Sequence, residues 1–196
     1  MSGTSKRPSN DGRTSVESPT PTVVLELREG ELADAAETTP TLGERPVVVV
    51  GFARGDAELA ERLARDRDVW YVDAARSGGT ATVSGATVVG AASPTDHTGV
   101  GVALASCCES AATTGDPVCL VPSLTALLQY VDARRGYRLC DAVAARVARA
   151  GGETRLWLDP AAHDTQTVAT FQTLADAVDD RTARDTTTER GGDGHA

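Results

Sequence analysis

Three stretches of this chain gather residue types that do chemistry elsewhere. The first is Gly51-Phe52-Ala53-Arg54-Gly55-Asp56-Ala57, which follows four consecutive valines. A glycine-bracketed turn between a strand and a helix can cradle phosphate on its backbone N–H groups, in the pattern G-x-x-x-x-G-K-[ST]. Here the turn is one residue shorter, and both the lysine and the metal-binding hydroxyl are missing. Asp56 sets a negative charge where a phosphate needs donors, and one lost charge-assisted hydrogen bond costs about 1.5–3 kcal/mol. Arg54 is the cation left to stand in. The second stretch is Val118-Cys119-Leu120-Val121-Pro122-Ser123-Leu124-Thr125. Phosphoryl-transfer enzymes hold magnesium with an acid after such a strand, and here Pro122 takes that place. The third is the loop at 159–164, where Asp159, His163 and Asp164 are the only clustered His and carboxylates. A metal site or a His–Asp acid–base pair is conceivable there. The plainer reading is punctuation, with Asp-Pro after a strand and Asp before a helix.

A bound nucleotide would have to use Gly51, Arg54, Gly55, Ser123 and Thr125, and a bound metal would have to use Asp159, His163 and Asp164. Both phosphate motifs fail together, so no cofactor is expected. A serine hydrolase would need a G-x-S-x-G elbow, and none is present.

The elements that position these loops follow from periodicity. Val47 to Val50 is a β-branched run that suits a strand buried on both faces. Similar strands are expected at 69–72, 87–89, 118–121 and 155–158. The residues Val100, Ala103, Leu104, Cys107, Cys108 and Ala111 recur at helical spacing. Further helices are expected after Asp56 as N-cap, after Ser123 as N-cap, at 134–150 and from Asp164 as N-cap through Val178. Strands alternating with helices predict a mostly parallel sheet covered on both faces, an α/β three-layer sandwich. The domain is expected at 46–178. Residues 1–45 read as a disordered and linker segment, within which Val23 to Leu27 is a short strand or one helical turn. Residues 179–196 read as a disordered tail.

The 196 residues carry 28 acidic against 19 basic side chains, a net charge of −9, and Lys6 is the single lysine. Acidity with arginine in place of lysine suits a salt-loaded cytoplasm. The sign of the charge argues against nucleic acid as a partner. The N-terminal stretch lacks the apolar region of a secretory leader, and no run reaches the ~20 residues that span a bilayer. A cytoplasmic location and no membrane are therefore expected. Cys107, Cys108, Cys119 and Cys140 form no C-x-x-C pair and fit reduced core positions. Arg135, Arg138, Arg146 and Arg149 lie opposite an apolar helix face and offer a docking stripe for a protein partner.

The stretches 47–53, 95–104, 123–130 and 158–170 together resemble an uncharacterised haloarchaeal family, a domain of unknown function with a RecA/KaiC-like core. The resemblance implies a P-loop NTPase fold whose nucleotide motifs are degenerate, because relatives carry an acid where this chain has Pro122. RecA-like relatives form rings, so a homo-oligomer is compatible with it. The resulting expectation is a non-catalytic, pseudo-ATPase-like module acting through protein contacts. A nucleotide binder or weak ATPase with a non-standard loop is the alternative, and a metal-dependent hydrolase at 159–164 stands third.

Overall fold

The computed structural model describes residues 22–30, 42–75, 82–91 and 93–182. The tails at 1–21 and 183–196 and the linker residues 31–41 lie outside them. In chain order the elements are β1 (Val23–Leu27), β2 (Val47–Gly51), α1 (Arg54–Leu63), β3 (Val69–Asp73), β4 (Thr87–Gly90), α2 (His97–Ala111) and β5 (Val118–Val121). There follow α3 (Leu124–Leu127), α4 (Ala133–Arg149), β6 (Glu153–Leu158), a 3-10 turn at Pro160–Ala162, α5 (Thr165–Gln172) and β7 (Ala177–Asp180).

The strands form one seven-stranded sheet in the order β4-β3-β2-β5-β6-β1-β7, and every pairing is parallel. Alternation along each strand divides the core in two. Val48 and Val50 join Cys119, Leu156 and the inner faces of α2 and α4. Val47 and Val49 join Leu120, Tyr71 and the α1 residues Leu59, Ala60 and Leu63. Helices thus pack on both faces, which is the layered α/β arrangement expected from the alternation of strands and helices. All six apolar residues expected on the inner face of α2 are buried, as are Cys140, Val143, Ala144 and Val147 of α4. Tyr137 is only half-buried and meets the Phe171 ring at 6.2 Å between centroids.

Four boundaries differ from expectation. The domain does not begin at 46, because β1 is inserted between β6 and β7, with Leu25 in register with Leu156 on one side and Val178 on the other. All five β1 residues are buried. Local sequence leaves this segment open between a strand and a helical turn, since Glu26 interrupts its apolar run and its strand partners lie some 130 residues away. Glu26 is nevertheless 1% exposed, held by Arg28 at 3.1 Å and Arg155 at 3.2 Å. The last helix ends at Gln172 rather than continuing to Val178, which lies instead on the edge strand β7. The chain therefore stays in the sheet through Asp180, past the expected tail boundary at 179. The helix expected after Ser123 is a single turn. No helix among the described residues is long and apolar enough to cross a membrane.

Candidate functional site

The chain adds β3 and β4 on one side of β2, then returns to place β5 on its other side. A crevice opens beyond the carboxyl ends of the strands where the order reverses in this way, and ligands of open α/β sheets bind there. The reversal brings the Gly51–Asp56 turn beside Ser123, so two motifs far apart in sequence become neighbours.

Asp56 joins them. Its Oδ2 accepts hydrogen bonds from Phe52 N–H at 2.8 Å, from Ala53 N–H at 2.9 Å and from the Ser123 hydroxyl. These are donors that a phosphate in this turn would require. The side chain is fully buried, and its Oδ1 has no hydrogen-bond partner among the described residues. Burial pushes the Asp56 carboxyl up to about 6, against the opposing pull of the Ser123, Ala53 and Phe52 hydrogen bonds.

The local reason differs from the expected one. Asp56 is not the N-cap of α1. Ala53 holds that place, and Asp56 is the third helical residue, reaching back to the Ala53 N–H as the acid of a capping box does. The helix starts at Arg54, so only Phe52 and Ala53 separate it from β2. A turn this short cannot wrap a triphosphate. Ser123 sits at the N-cap of α3, but its side chain makes no capping bond and donates to Asp56 instead. Gly51 is a packing glycine. The Tyr71 ring and hydroxyl occupy the space a Cβ would need there. Burial, with Asp73 and Asp56 nearby, pushes the Tyr71 phenol up.

Beside the turn lies a cleft of about 670 Å³, whose walls include Arg54, Gly55, Ser123 and Thr125 together with Arg28, Arg62, Trp157 and Asp159. Four of the five expected nucleotide residues therefore line one cavity, and Gly51 does not. Arg54 is exposed. Arg28, Arg62 and Trp157 were not legible as site residues. They come from the residue after β1, the last turn of α1 and the strand β6. No spacing rule links them.

The 159–164 loop is brought together around hydrogen bonds to backbone. Asp159 Oδ1 accepts from Ala161 N–H at 2.9 Å and its Oδ2 from Gly30 N–H at 3.4 Å. Asp164 caps α5 as expected, accepting from Thr167 N–H at 2.6 Å. The Thr167 backbone and side-chain hydrogen bonds hold its carboxyl below the usual range. His163 Nε2 lies 3.2 Å from Thr125 Oγ1, which also accepts from Asp159 N–H at 3.1 Å. Thr125 so ties α3 to the end of β6. Among the described residues no three His, Cys, Asp or Glu side chains converge into a group that could hold a metal.

The four cysteines are free and buried. Burial pushes the Cys107 and Cys140 thiols up to about 12 and Cys108 to about 11, which keeps them as inert thiols. On α4, Arg135, Arg138 and Arg149 are exposed and Arg146 is half-buried. Arg135 pairs with Asp132 at 3.6 Å.

No curated protein and no solved structure matches the chain. A family model does match, over residues 16–178. That span takes in β1 and nearly all of the sheet, and on its extent the chain belongs to the family of unknown function DUF7504.

Proposed function

We propose that this protein is a non-catalytic, pseudo-ATPase-like module with a RecA/KaiC-like layout that works through contact with another protein. One observation carries the reading: the Asp56 carboxylate takes the Phe52 and Ala53 N–H groups and the Ser123 hydroxyl. A phosphate entering that turn would have to displace a buried carboxylate from three hydrogen bonds and then face its charge. Pro122 supplies no side-chain ligand for magnesium, so the acid that would follow this strand to offset the phosphate charge is missing.

The contact surface in this reading is the α4 stripe of Arg135, Arg138, Arg146 and Arg149. On a chain of net charge −9 such a stripe favours an acidic protein surface, or an acidic face of a second copy. The composition supports a salt-rich archaeal cytoplasm as the setting.

The competing reading, a nucleotide binder with a non-standard loop, draws on Arg54, Gly55, Ser123 and Thr125 lining one cleft. Thermal unfolding in molar KCl, with and without ATP–Mg²⁺, decides between them. A ligand at 100 times its dissociation constant stabilises by about 2.7 kcal/mol. The contact module shows no shift. A saturable upward shift overturns it in favour of the nucleotide binder. A metal-dependent hydrolase at 159–164 has no support beyond its composition, because Asp159 and Asp164 are engaged by backbone N–H groups.

A further inference from the structure

The cleft beside the closed turn is positively lined on an acidic protein. Arg54 and Arg62 lie on α1 and both reach it. Neither makes an ion pair among the described residues. Glu58 sits one helical turn from each and also lines the cleft, yet it pairs with neither. Asp159 is the other acid in the wall, and its two oxygens already accept from Ala161 and Gly30 N–H groups. Arg28 closes the far side. Its guanidinium lies 4.7 Å over the Trp157 ring and pairs with buried Glu26.

The wall also holds donors without acceptors. Arg28 Nη2, Arg62 Nε and Trp157 Nε1 are buried and find no hydrogen-bond partner among the described residues. Trp157 is 4% exposed. Residues of three elements thus line one cavity while keeping unsatisfied N–H groups covered behind its wall, although buried donors are ordinarily paired. An unpaired donor is destabilising until it meets an acceptor, and a guanidinium turning into the cleft meets one if an oxyanion is present. Arginine suits this, because its planar fork binds carboxylate or phosphate bidentately. The volume of about 670 Å³ falls within the roughly 300–1,000 Å³ of small-molecule sites.

We propose that this cleft binds a small polyanion, bearing carboxylate or phosphate groups, on Arg54 and Arg62 with Arg28 and Trp157 as its back wall. The inference goes beyond the contact-module reading and stands without it. The ligand sits on side chains rather than in the turn, so Asp56 can stay in place. Bound there, a polyanion would bridge α1 to the ends of β1 and β6. A contact module could use it as an effector.

Isothermal titration calorimetry at fixed ionic strength tests it, with citrate and pyrophosphate as probes and potassium chloride as the control. Saturable binding of at least one probe is expected. Arg54→Gln and Arg62→Gln should each weaken it about tenfold or more, the effect of one lost hydrogen bond to a charged group. Trp157→Phe keeps an aromatic ring, removes the indole N–H and should weaken it less. Arg65→Gln, an exposed arginine just past α1 and outside the cleft wall, should leave it unchanged. Citrate alone binding marks a carboxylate ligand, and pyrophosphate alone a phosphate one. Both anions stabilise proteins non-specifically by exclusion from the surface, but that effect does not saturate and does not depend on Arg62. No saturable binding of either probe, or equal affinity in the wild type and both α1 variants, overturns the proposal. Neither result bears on the turn, because a ligand held on the cleft side chains leaves the Asp56 hydrogen bonds to Phe52, Ala53 and Ser123 in place.

Discussion

The turn at Phe52–Ala53 and the cleft lined by Arg28, Arg62 and Trp157 lie side by side at the carboxyl end of one sheet, and they treat their donors in opposite ways. In the turn, two backbone N–H groups and a hydroxyl converge on one carboxylate of the same chain. Behind the cleft wall, three buried donors on three of its residues have no hydrogen-bond partner among the described residues. A set of donors satisfied from within has little left to gain from a ligand. A set left unsatisfied gains whatever an acceptor brings, and so can bind selectively. Asp56 lies three residues from Ala53, where helix geometry returns its side chain to the N–H groups. Glu58 stands one turn from Arg62 but makes no ion pair with it, and Trp157 Nε1 finds no acceptor among the described residues.

The largest test of the contrast is Asp56→Asn. The wild-type carboxyl is raised from 3.8 to about 6 in the folded state. Below pH 3.8 both states hold the proton and the group contributes nothing. Between 3.8 and about 6 the unfolded chain releases its proton while the folded chain keeps it, so stability falls as pH rises. Above about 6 both are ionised and the full penalty remains. Two units correspond to about 3 kcal/mol. Urea unfolding of both proteins from pH 4 to 7 should show the wild type losing about that much relative to Asp56→Asn. A difference that does not change with pH would mean that Asp56 is not a buried charge, and the contrast would collapse.

Ser123→Ala sharpens the same side. Removing a donor to an ionised carboxylate should cost about 1.5–3 kcal/mol above pH 6 and less at pH 4, where Asp56 is neutral. It should also push the Asp56 titration higher. In a double-mutant cycle with Asp56→Asn the cost should shrink, since the two side chains act as a pair. Additive costs would separate them.

Gly51→Ala drives a methyl into the Tyr71 ring, and overpacking of this kind costs about 1–3 kcal/mol. A lowered thermal midpoint confirms that Gly51 serves packing rather than a phosphate. An unchanged midpoint would reopen the question of why a glycine stands there.

The smallest effect is expected on the cleft side. Arg62→Gln removes a cation from the last turn of α1, worth under about 1 kcal/mol in chemical denaturation, because it breaks no ion pair among the described residues. A loss as large as that of Ser123→Ala would show Arg62 to be structural and would erase the distinction between the two regions.

How far the site was legible depended on how local each signal is. The valine run Val47 to Val50, the α2 pattern from Val100 to Ala111 and the cap at Asp164 were all readable, because each is set by neighbours within a turn or a strand. The negative charge of Asp56 in the turn was readable too, though its place in the helix was off by a cap. Val23–Leu27 stays open locally between a strand and a helical turn, since its pairing with β6 and β7 depends on residues remote in sequence, and β7 was mistaken for the end of a helix.

The sequence by itself determined a mostly parallel α/β protein whose first strand-to-helix turn at 51–57 carries no lysine and whose strand at 118–121 is followed by Pro122 rather than an acid, because these follow from residue type and short-range period. Only the tertiary structure decided that Ser123 serves Asp56 rather than its own helix, that an N-terminal strand completes the sheet, and that Arg28, Arg62 and Trp157 share a wall. Such facts depend on which strands become neighbours, and strand pairing is settled by burial across the whole sheet, not by any segment alone.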